Sequence, residues 1–442
     1  MSANVLGKRI AVVGAGASGV ISAKVLLGAG FKDVVVFEAG SQVGGLWVYD
    51  NDSGASVAYR NLHINTDIVV ARLSDFDFEP GTSDYPHHTE MRAYLDRYAD
   101  HFGVRPKIRF RTRVTDVSPI DGGGWRVVAD GGEPERFDAV VIATGHLNEP
   151  RWPELPGVFA GGYMHSAQYR QPNAHADERV CIMGIGNSAC DIACDLALIA
   201  QRVVVSTRTG TLIWPKWAFG FPLTRLQTRF EWPFLPPRVR TWLYKTASRL
   251  IVWMIFGSMK QYGITLPAKR THPTSNQFFL SHVKYRRITV KPGIEAIDGS
   301  RITFTDGTWE EFDSLIAATG YTVRFPFFKP ELLNLEDTKL PFYKRVVPVK
   351  YRGLYFIGYF NLDSGLPPVF ERQAQWVADL ELGRCVLPPP EEMEADIELR
   401  QRELADKYLD RPRLNLEEEF MRYKAAIAAE RRRRPRSGAM AS

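Results

Sequence analysis

Short apolar runs recur along the chain, and the strongest of them end in glycine. Ile10 to Val13 runs directly into Gly14-Ala15-Gly16-Ala17-Ser18-Gly19. A continuous apolar run is the mark of a strand buried on both faces, as in a parallel sheet, whereas a half-exposed strand alternates. A helix-favouring stretch, Val20 to Leu27, follows, and then a second run, Val34 to Phe37, ends at Glu38. The same order returns downstream: the run Arg179 to Met183, then Gly184-Ile185-Gly186-Asn187-Ser188-Ala189, a helical stretch from Cys190 to Ala200, and the run Arg202 to Arg208. Asp138 to Gly145, Leu315 to Tyr321 and Leu354 to Gly358 are further buried strands, two of them ending in Ala-Thr-Gly. Period-two alternation predicts strands between Ile108 and Val128. Period 3.6 predicts a helix over Glu90 to Phe102, with Met91, Tyr94, Leu95, Tyr98 and Phe102 on its core face.

This order predicts an α/β fold of two nested Rossmann-like dinucleotide-binding domains, the second inserted into the first. The expected segments are 1–168 and 316–390 for the first domain and 169–315 for the second. Leu387 to Pro390 is expected to end the ordered core, leaving 391–442 as a charged helical segment with a disordered tail after Arg431.

In such a unit Gly14 permits the tight turn, Gly16 lets the backbone approach a pyrophosphate, and Gly19 lets helix pack closely on strand. The amides at the helix start, with Ala15, Ala17 and Ser18 between the glycines, face the phosphates. The two units differ at the end of their second strand. Glu38 suits a free ribose hydroxyl, so the first site reads as FAD; Arg208, next to Thr207, suits a 2′-phosphate, so the second reads as NADPH. One charge-assisted hydrogen bond of roughly 1.5–3 kcal/mol gives NADPH about a 10- to 150-fold preference over NADH. Val43-Gly44-Gly45-Leu46-Trp47 lies just beyond the acidic strand, where it can run along the cofactor, and Asn61 to Asp67 is a polar turn-forming segment.

Composition narrows the classes. The 442 residues are 45% hydrophobic and 24% charged, and a net charge of +6 lies partly in the terminal arginine run, so no nucleic-acid surface is indicated. Four cysteines without a Cys-x-x-Cys pair count against a flavin disulfide reductase, and Cys181, Cys190 and Cys194 read as small core residues. The N-terminus enters the first strand at once and no run reaches a membrane-spanning length, which predicts a cytoplasmic protein. Residues 211–285 are rich in Trp, Phe and Pro with interleaved basic residues; Arg238 to Gly257 reads as a helix that covers the cleft or touches a membrane. No metal cluster and no Ser-His-Asp set is evident.

Between the two nucleotide motifs stands Phe159-x-Gly161-x-x-x-His165-x-x-x-Tyr169-Arg170. With Gly184-x-Gly186-Asn187-Ser188, Ala318-Thr319-Gly320-Tyr321 and Glu371-x-Gln373-x-x-Trp376, over roughly residues 8–390, the chain resembles a class B flavin-dependent monooxygenase. Tyr169-Arg170 is similar to the flavin-containing monooxygenase branch; Baeyer–Villiger enzymes usually have Trp followed by Pro or Asp there. Ala189 stands where many relatives have Gly. The resemblance implies FAD on Gly14, Gly16, Ser18, Glu38, Leu46, Trp47, Asn65 and Thr66, and NADPH on Asn187, Ser188, Asp191, Thr207 and Arg208, with Gln373 also at the cofactor. It implies a C4a-hydroperoxyflavin that oxygenates soft nitrogen or sulfur atoms, with O₂ and a small molecule as substrates. Asn65 is then the residue expected to act at the flavin edge, and His165 a brace between domains. A Baeyer–Villiger monooxygenase and a non-oxygenating FAD/NADP sensor are the rival readings; a peripheral membrane contact and a homodimer stay open.

Overall fold

In the computed structural model, residues 5–434 are described apart from 55, 231–233, 334, 336–338 and 363. In chain order the elements that place the site are β1 (Arg9–Val13), α1 (Ala17–Gly28), β2 (Asp33–Phe37), α2 (His88–His101), β3 (Ile108–Arg109), β4 (Ala139–Ile142), β5 (Gly162–His165), β6 (Arg179–Met183), α3 (Asn187–Leu196), β7 (Arg202–Ser206), α4 (Pro237–Phe256), β8 (Ile288–Lys291), β9 (Ser314–Ala317), β10 (Leu354–Phe356), β11 (Asn361–Leu362), α5 (Pro367–Glu381), α6 (Pro390–Lys407), β12 (Glu417–Glu418) and α7 (Phe420–Glu430). The glycine-terminated runs all become strands of two parallel five-stranded sheets, ordered β10-β4-β1-β2-β3 and β5-β9-β6-β7-β8. Ile10, Ala11 and Val12, like Val140 and Val141, have no exposed surface.

Between Ile108 and Val114 the alternation does not make one strand. β3 is a two-residue edge strand, and Arg111, at φ +50°, turns the chain away before the antiparallel strand Val114–Pro119 begins. The second sheet also takes in chain ahead of residue 169. β5 pairs with β9, and Gly157–Phe159 pairs with Ile294–Gly299, so the inserted segment starts before the expected boundary.

The segment after 390 is helical as expected, but the expectation that the ordered core ends at 387–390 is corrected. α7 packs on α4 and α5, and Ile427 and Trp376 are fully buried. β12 pairs in parallel with β11. At the far end Arg431 is ion-paired with Asp379 at 2.7 Å, and Arg433 with Glu430 at 3.2 Å; the rest of the expected tail, 435–442, lies outside the described residues.

Three consecutive glutamates tie this C-terminal segment together and to the rest of the chain. Glu417 meets His272 at 3.0 Å, Glu418 meets Arg345 at 3.0 Å and Arg400 at 2.9 Å, and Glu419 meets Lys245 at 3.1 Å, Arg422 at 3.3 Å and Lys407. All three are buried. Burial opposes ionisation of Glu419, but Lys245 and Lys407 outweigh it and bring its pKa down from 4.5 to about 2. A depressed acid stabilises the fold above its unfolded pKa, and that contribution is lost as pH falls toward the folded value. Glu419→Gln is therefore expected to cost about 3 kcal/mol near neutral pH, as when one partner leaves a buried ion pair. The difference from wild type should vanish as pH drops from about 4.5 toward 2. Denaturation midpoints against pH report this; a pH-independent difference would place the effect in packing.

Candidate active site

The first glycine turn has the shape its sequence predicts. Gly14 sits at φ +103°, its N–H donates to the Phe37 carbonyl at 2.7 Å, and a Cβ there would lie 2.7 Å from the Ala143 carbonyl oxygen. A Cβ on Gly19 would fall 1.8 Å from the Gly14 carbonyl oxygen, which is how α1 comes so close to β1. Gly16 begins α1 with no side-chain cap, so the leading amides around Ala17 and Ser18 face outward without an internal acceptor. The Ser18 hydroxyl donates to the Ala143 carbonyl at 3.3 Å.

Glu38 is buried beneath this turn. Its carboxylate accepts from the Ala15 N–H at 2.6 Å and the Gly40 N–H at 2.7 Å. The Gly44-Gly45-Leu46-Trp47 segment folds back over the turn, with the Gly44 N–H on the Ala15 carbonyl at 3.1 Å and Gly45 backed against Gly16. Leu46 and Trp47 form a single 3₁₀ turn along that edge.

Asn65 and Thr66 lie in a loop fixed from every side. The Ile64 N–H donates to the Pro86 carbonyl at 2.9 Å, and Asp67 caps the short helix Ile68–Ala71 through the Val69 N–H at 2.9 Å. Arg225 clamps the Asp67 carboxylate through Nε at 3.0 Å, and Lys216 Nζ donates to the Ile64 carbonyl at 3.1 Å. Within this braced loop Asn65 Oδ1 is buried and accepts no hydrogen bond. An unpaired buried amide oxygen is costly in a folded chain.

The second turn repeats the first. Gly184 sits at φ +118°, where a Cβ would meet the Ala318 carbonyl oxygen at 2.5 Å, and Gly186 begins α3 uncapped. Ser188 and the fully buried Ala189 start the helix. Asn187 Oδ1 accepts from the Ser275 N–H at 2.9 Å and so anchors the neighbouring loop. Thr207 closes a local turn on the Thr209 carbonyl at 2.8 Å, while the Arg208 side chain lies exposed against Gly293.

Two expected cofactor residues are spent on structure. Asp191 accepts from Tyr59 Oη and, at 2.7 Å, from Asn276 Nδ2, tying α3 to the loop before Asn65; burial raises its pKa, against the pull of Lys216. Burial in turn lowers the pKa of Lys216, with Asp191 opposing. Gln373 has both ends of its amide occupied, by the Gly358 N–H at 3.0 Å and Tyr423 Oη at 2.6 Å, and has no exposed surface. His165 is a brace: Nδ1 accepts from the Ala167 N–H at 3.1 Å, which leaves Nε2 to donate to the Gly320 carbonyl at 3.1 Å, and burial lowers its pKa. Arg170 joins Asp50 at 2.8 Å, so the linking motif fastens one domain to the other. The cysteines are free, and burial raises every thiol pKa, that of Cys385 to about 11. Among the described residues no metal-binding cluster occurs.

Sequence reasoning missed three cations. Lys216 stands behind Asn65, and Arg411 and Arg413 arrive at the second turn from the C-terminal segment. A lysine buried among Trp and Pro residues was a readable signal; the arginines carried none.

Two uncapped helix starts, two glycine cradles that any Cβ would fill, a buried acid below one and an arginine beside the other fit FAD and NADPH. The sequence model of the flavin-binding monooxygenase-like family matches residues 7–440. The chain belongs to that family. Dimethylaniline monooxygenase [N-oxide-forming] 4 of Rattus norvegicus is 33% identical over 412 residues, 88% of this chain and 72% of the relative. Flavin-containing monooxygenase 1 of Homo sapiens is 31% identical over 421 residues, 90% and 78% of the two chains. The solved structure of S-allyl-L-cysteine S-oxygenase from Allium sativum superposes with a TM-score of 0.73 at 26% identity, over 97% of this chain and 89% of that one. Cyclohexanone monooxygenase from Rhodococcus sp. Phi1 bound to NADP⁺ shares the fold, at TM-score 0.69 and 19% identity over 96% and 97%. The family member described here is a flavoprotein monooxygenase that uses FAD and NADPH. No described helix is long and apolar enough to cross a membrane.

Proposed function

We propose that this monooxygenase oxygenates soft nitrogen or sulfur atoms of small molecules. Bound FAD would take hydride from NADPH and carry the O₂-derived oxygen as its C4a-hydroperoxide, the chemistry that belongs to the cofactor. The chain's task is to hold, orient and dry the site. The observation that carries this reading is Asn65 Oδ1, a buried acceptor without a donor in a loop held by Lys216, Arg225 and Asp67. An N–H at the reacting edge of the cofactors satisfies it. The loop hardly needs to reorganise for that contact, because its own backbone bonds are already made.

The relatives support the class of substrate: one is named for forming the N-oxide of dimethylaniline and another for S-oxygenation of S-allyl-cysteine. The pair Tyr169-Arg170 matches the same branch; Tyr169 donates to Asp195 at 3.3 Å within the second domain, and Arg170 reaches Asp50 of the first. The test offers dimethylaniline, a thioether and a cyclic ketone at equal concentration with NADPH and air. N-oxide and sulfoxide are the expected products. Lactone as the main product would favour the Baeyer–Villiger reading.

We also propose that the enzyme works against an anionic membrane surface. On α4 the side chains of Trp242, Leu250, Trp253 and Met254 are each more than half exposed, while Tyr244 and Val252 face the core. Residues 202–294 carry sixteen Lys and Arg against one acid, Glu231. Exposed indoles next to basic side chains such as Arg249 and Lys260 suit the boundary between headgroups and acyl chains. Sedimentation with vesicles is expected to pull the enzyme down when they contain phosphatidylserine. Trp242→Ser/Trp253→Ser should lose this at unchanged activity in solution. Equal recovery of wild type and variant, or none with anionic vesicles, contradicts the surface reading.

A further inference from the structure

Four arginines gather around the second glycine turn, and among the described residues none has a carboxylate within 4 Å. Arg208 lies against Gly293 at the end of β7. Arg151 belongs to the loop that pairs with Tyr321–Thr322, its N–H on the Gly320 carbonyl at 2.9 Å. Arg411 and Arg413 come from the segment between α6 and β12. Arg411 Nη2 donates to Thr209 Oγ1 at 2.6 Å, which sets its guanidinium beside Arg208. Arg413 Nη1 is 3.5 Å from the position a Cβ would take on Gly186, the residue that begins α3. Burial, followed by repulsion from Arg208 and Arg151, lowers the pKa of Arg411, and burial lowers that of Arg413. Arginine does not shed its proton to relieve such a cost, so both guanidiniums stay charged.

The segment is held firmly enough to present these charges. The Arg413 carbonyl accepts from Asn361 Nδ2 at 3.2 Å, and four residues later Glu417 enters β12 and takes His272. Glu417 attracts Arg413 without forming an ion pair, because its carboxylate is engaged by His272. The two arginines stand apart along the turn. Arg411 is beside Arg208, and Arg413 is over Gly186.

We propose that the C-terminal strap completes the NADPH site: Arg411 joins Arg208 on the 2′-phosphate, and Arg413 closes over the pyrophosphate. This rests on the assignment of NADPH to the second turn. A guanidinium pairs with phosphate through two parallel N–H donors, which a surface lysine does not reproduce. The strap is anchored on the first domain through Arg345 and Asn361, so dinucleotide binding and the seating of the two domains are coupled.

Calorimetric titration of the FAD-loaded full chain tests this without turnover. The probes are NADP⁺, adenosine 2′,5′-bisphosphate and ADP, which separate the two phosphates. Arg411→Gln is expected to weaken adenosine 2′,5′-bisphosphate about 10- to 150-fold, the range for one charge-assisted contact, and ADP by less than about threefold. Arg208→Ala should match that selectivity. Arg413→Gln should weaken ADP and NADP⁺ alike. Arg411→Lys and Arg413→Lys, with wild-type melting and flavin content, should recover part of the affinity and show that the loss is not a folding defect. Wild-type affinities in both glutamine variants would overturn the strap's role while leaving NADPH in place. A wild-type enzyme that takes up no NADP⁺ would overturn the NADPH assignment, and the strap's role with it.

Discussion

Gly14→Val is expected to purify without flavin. At φ +103° a β-branched residue is strained before any neighbour is considered. Its Cβ would also stand 2.7 Å from the Ala143 carbonyl oxygen, a backbone atom that cannot rotate away. Relief requires the turn to move, and the turn carries the Ala15 N–H on Glu38 and the Gly44 N–H on Ala15. Phosphate-facing amides, ribose acid and covering loop are displaced together. The ratio of flavin to protein absorbance should fall from near stoichiometric to a trace. Gly28→Ala is the control, because Gly28 closes α1 with nothing within 4 Å of its Cβ position. A yellow, fully loaded Gly14→Val would remove FAD from the first turn.

Asn65→Leu is expected to separate NADPH consumption from product formation. Leucine keeps the volume and removes the unpaired Oδ1. The loop should hold, since its bonds run through Ile64, Asp67 and Lys216 rather than through the Asn65 side chain. Losing one well-placed hydrogen bond in a dry site costs on the order of 1–3 kcal/mol. Breakdown of the oxygenated flavin should then speed up about 5- to 150-fold. Hydride transfer comes earlier and should change little. NADPH is consumed, H₂O₂ appears and oxygenated product declines; a peroxide assay beside product analysis reports the split. A variant as tightly coupled as wild type would leave Asn65 a turn residue.

The two nucleotide units were legible because backbone geometry dictated their residues. A carbonyl 2.7 Å from one Cβ position and 2.5 Å from its counterpart permits glycine at 14 and 184 and little else. Buried parallel strands force continuous apolar runs, so both sheets could be read from hydrophobicity. Side-chain destinations were less visible. Asp191 and Gln373 stand at matching positions, but which group an acid or amide meets depends on residues far along the chain, here Tyr59 and Asn276 for one and Gly358 and Tyr423 for the other. The C-terminal segment was misjudged because its charged composition resembles a solvated helix. Its glutamates prove to be buried clasps, since cations from α4, α6 and the turn between Phe342–Tyr343 and Val347–Pro348 meet them across sequence separations that no local pattern records.

Under the proposed function, bound flavin reduced by NADPH holds activated oxygen until a soft nucleophile arrives. Rapid mixing of the NADPH-reduced enzyme with aerated buffer, followed by its absorption spectrum, tests this most directly. The expected result is a C4a-hydroperoxyflavin band that persists while NADP⁺ is bound and collapses on adding a thioether, with one sulfoxide formed per flavin. Immediate return to oxidised flavin with stoichiometric H₂O₂, unchanged by thioether or amine, would contradict it.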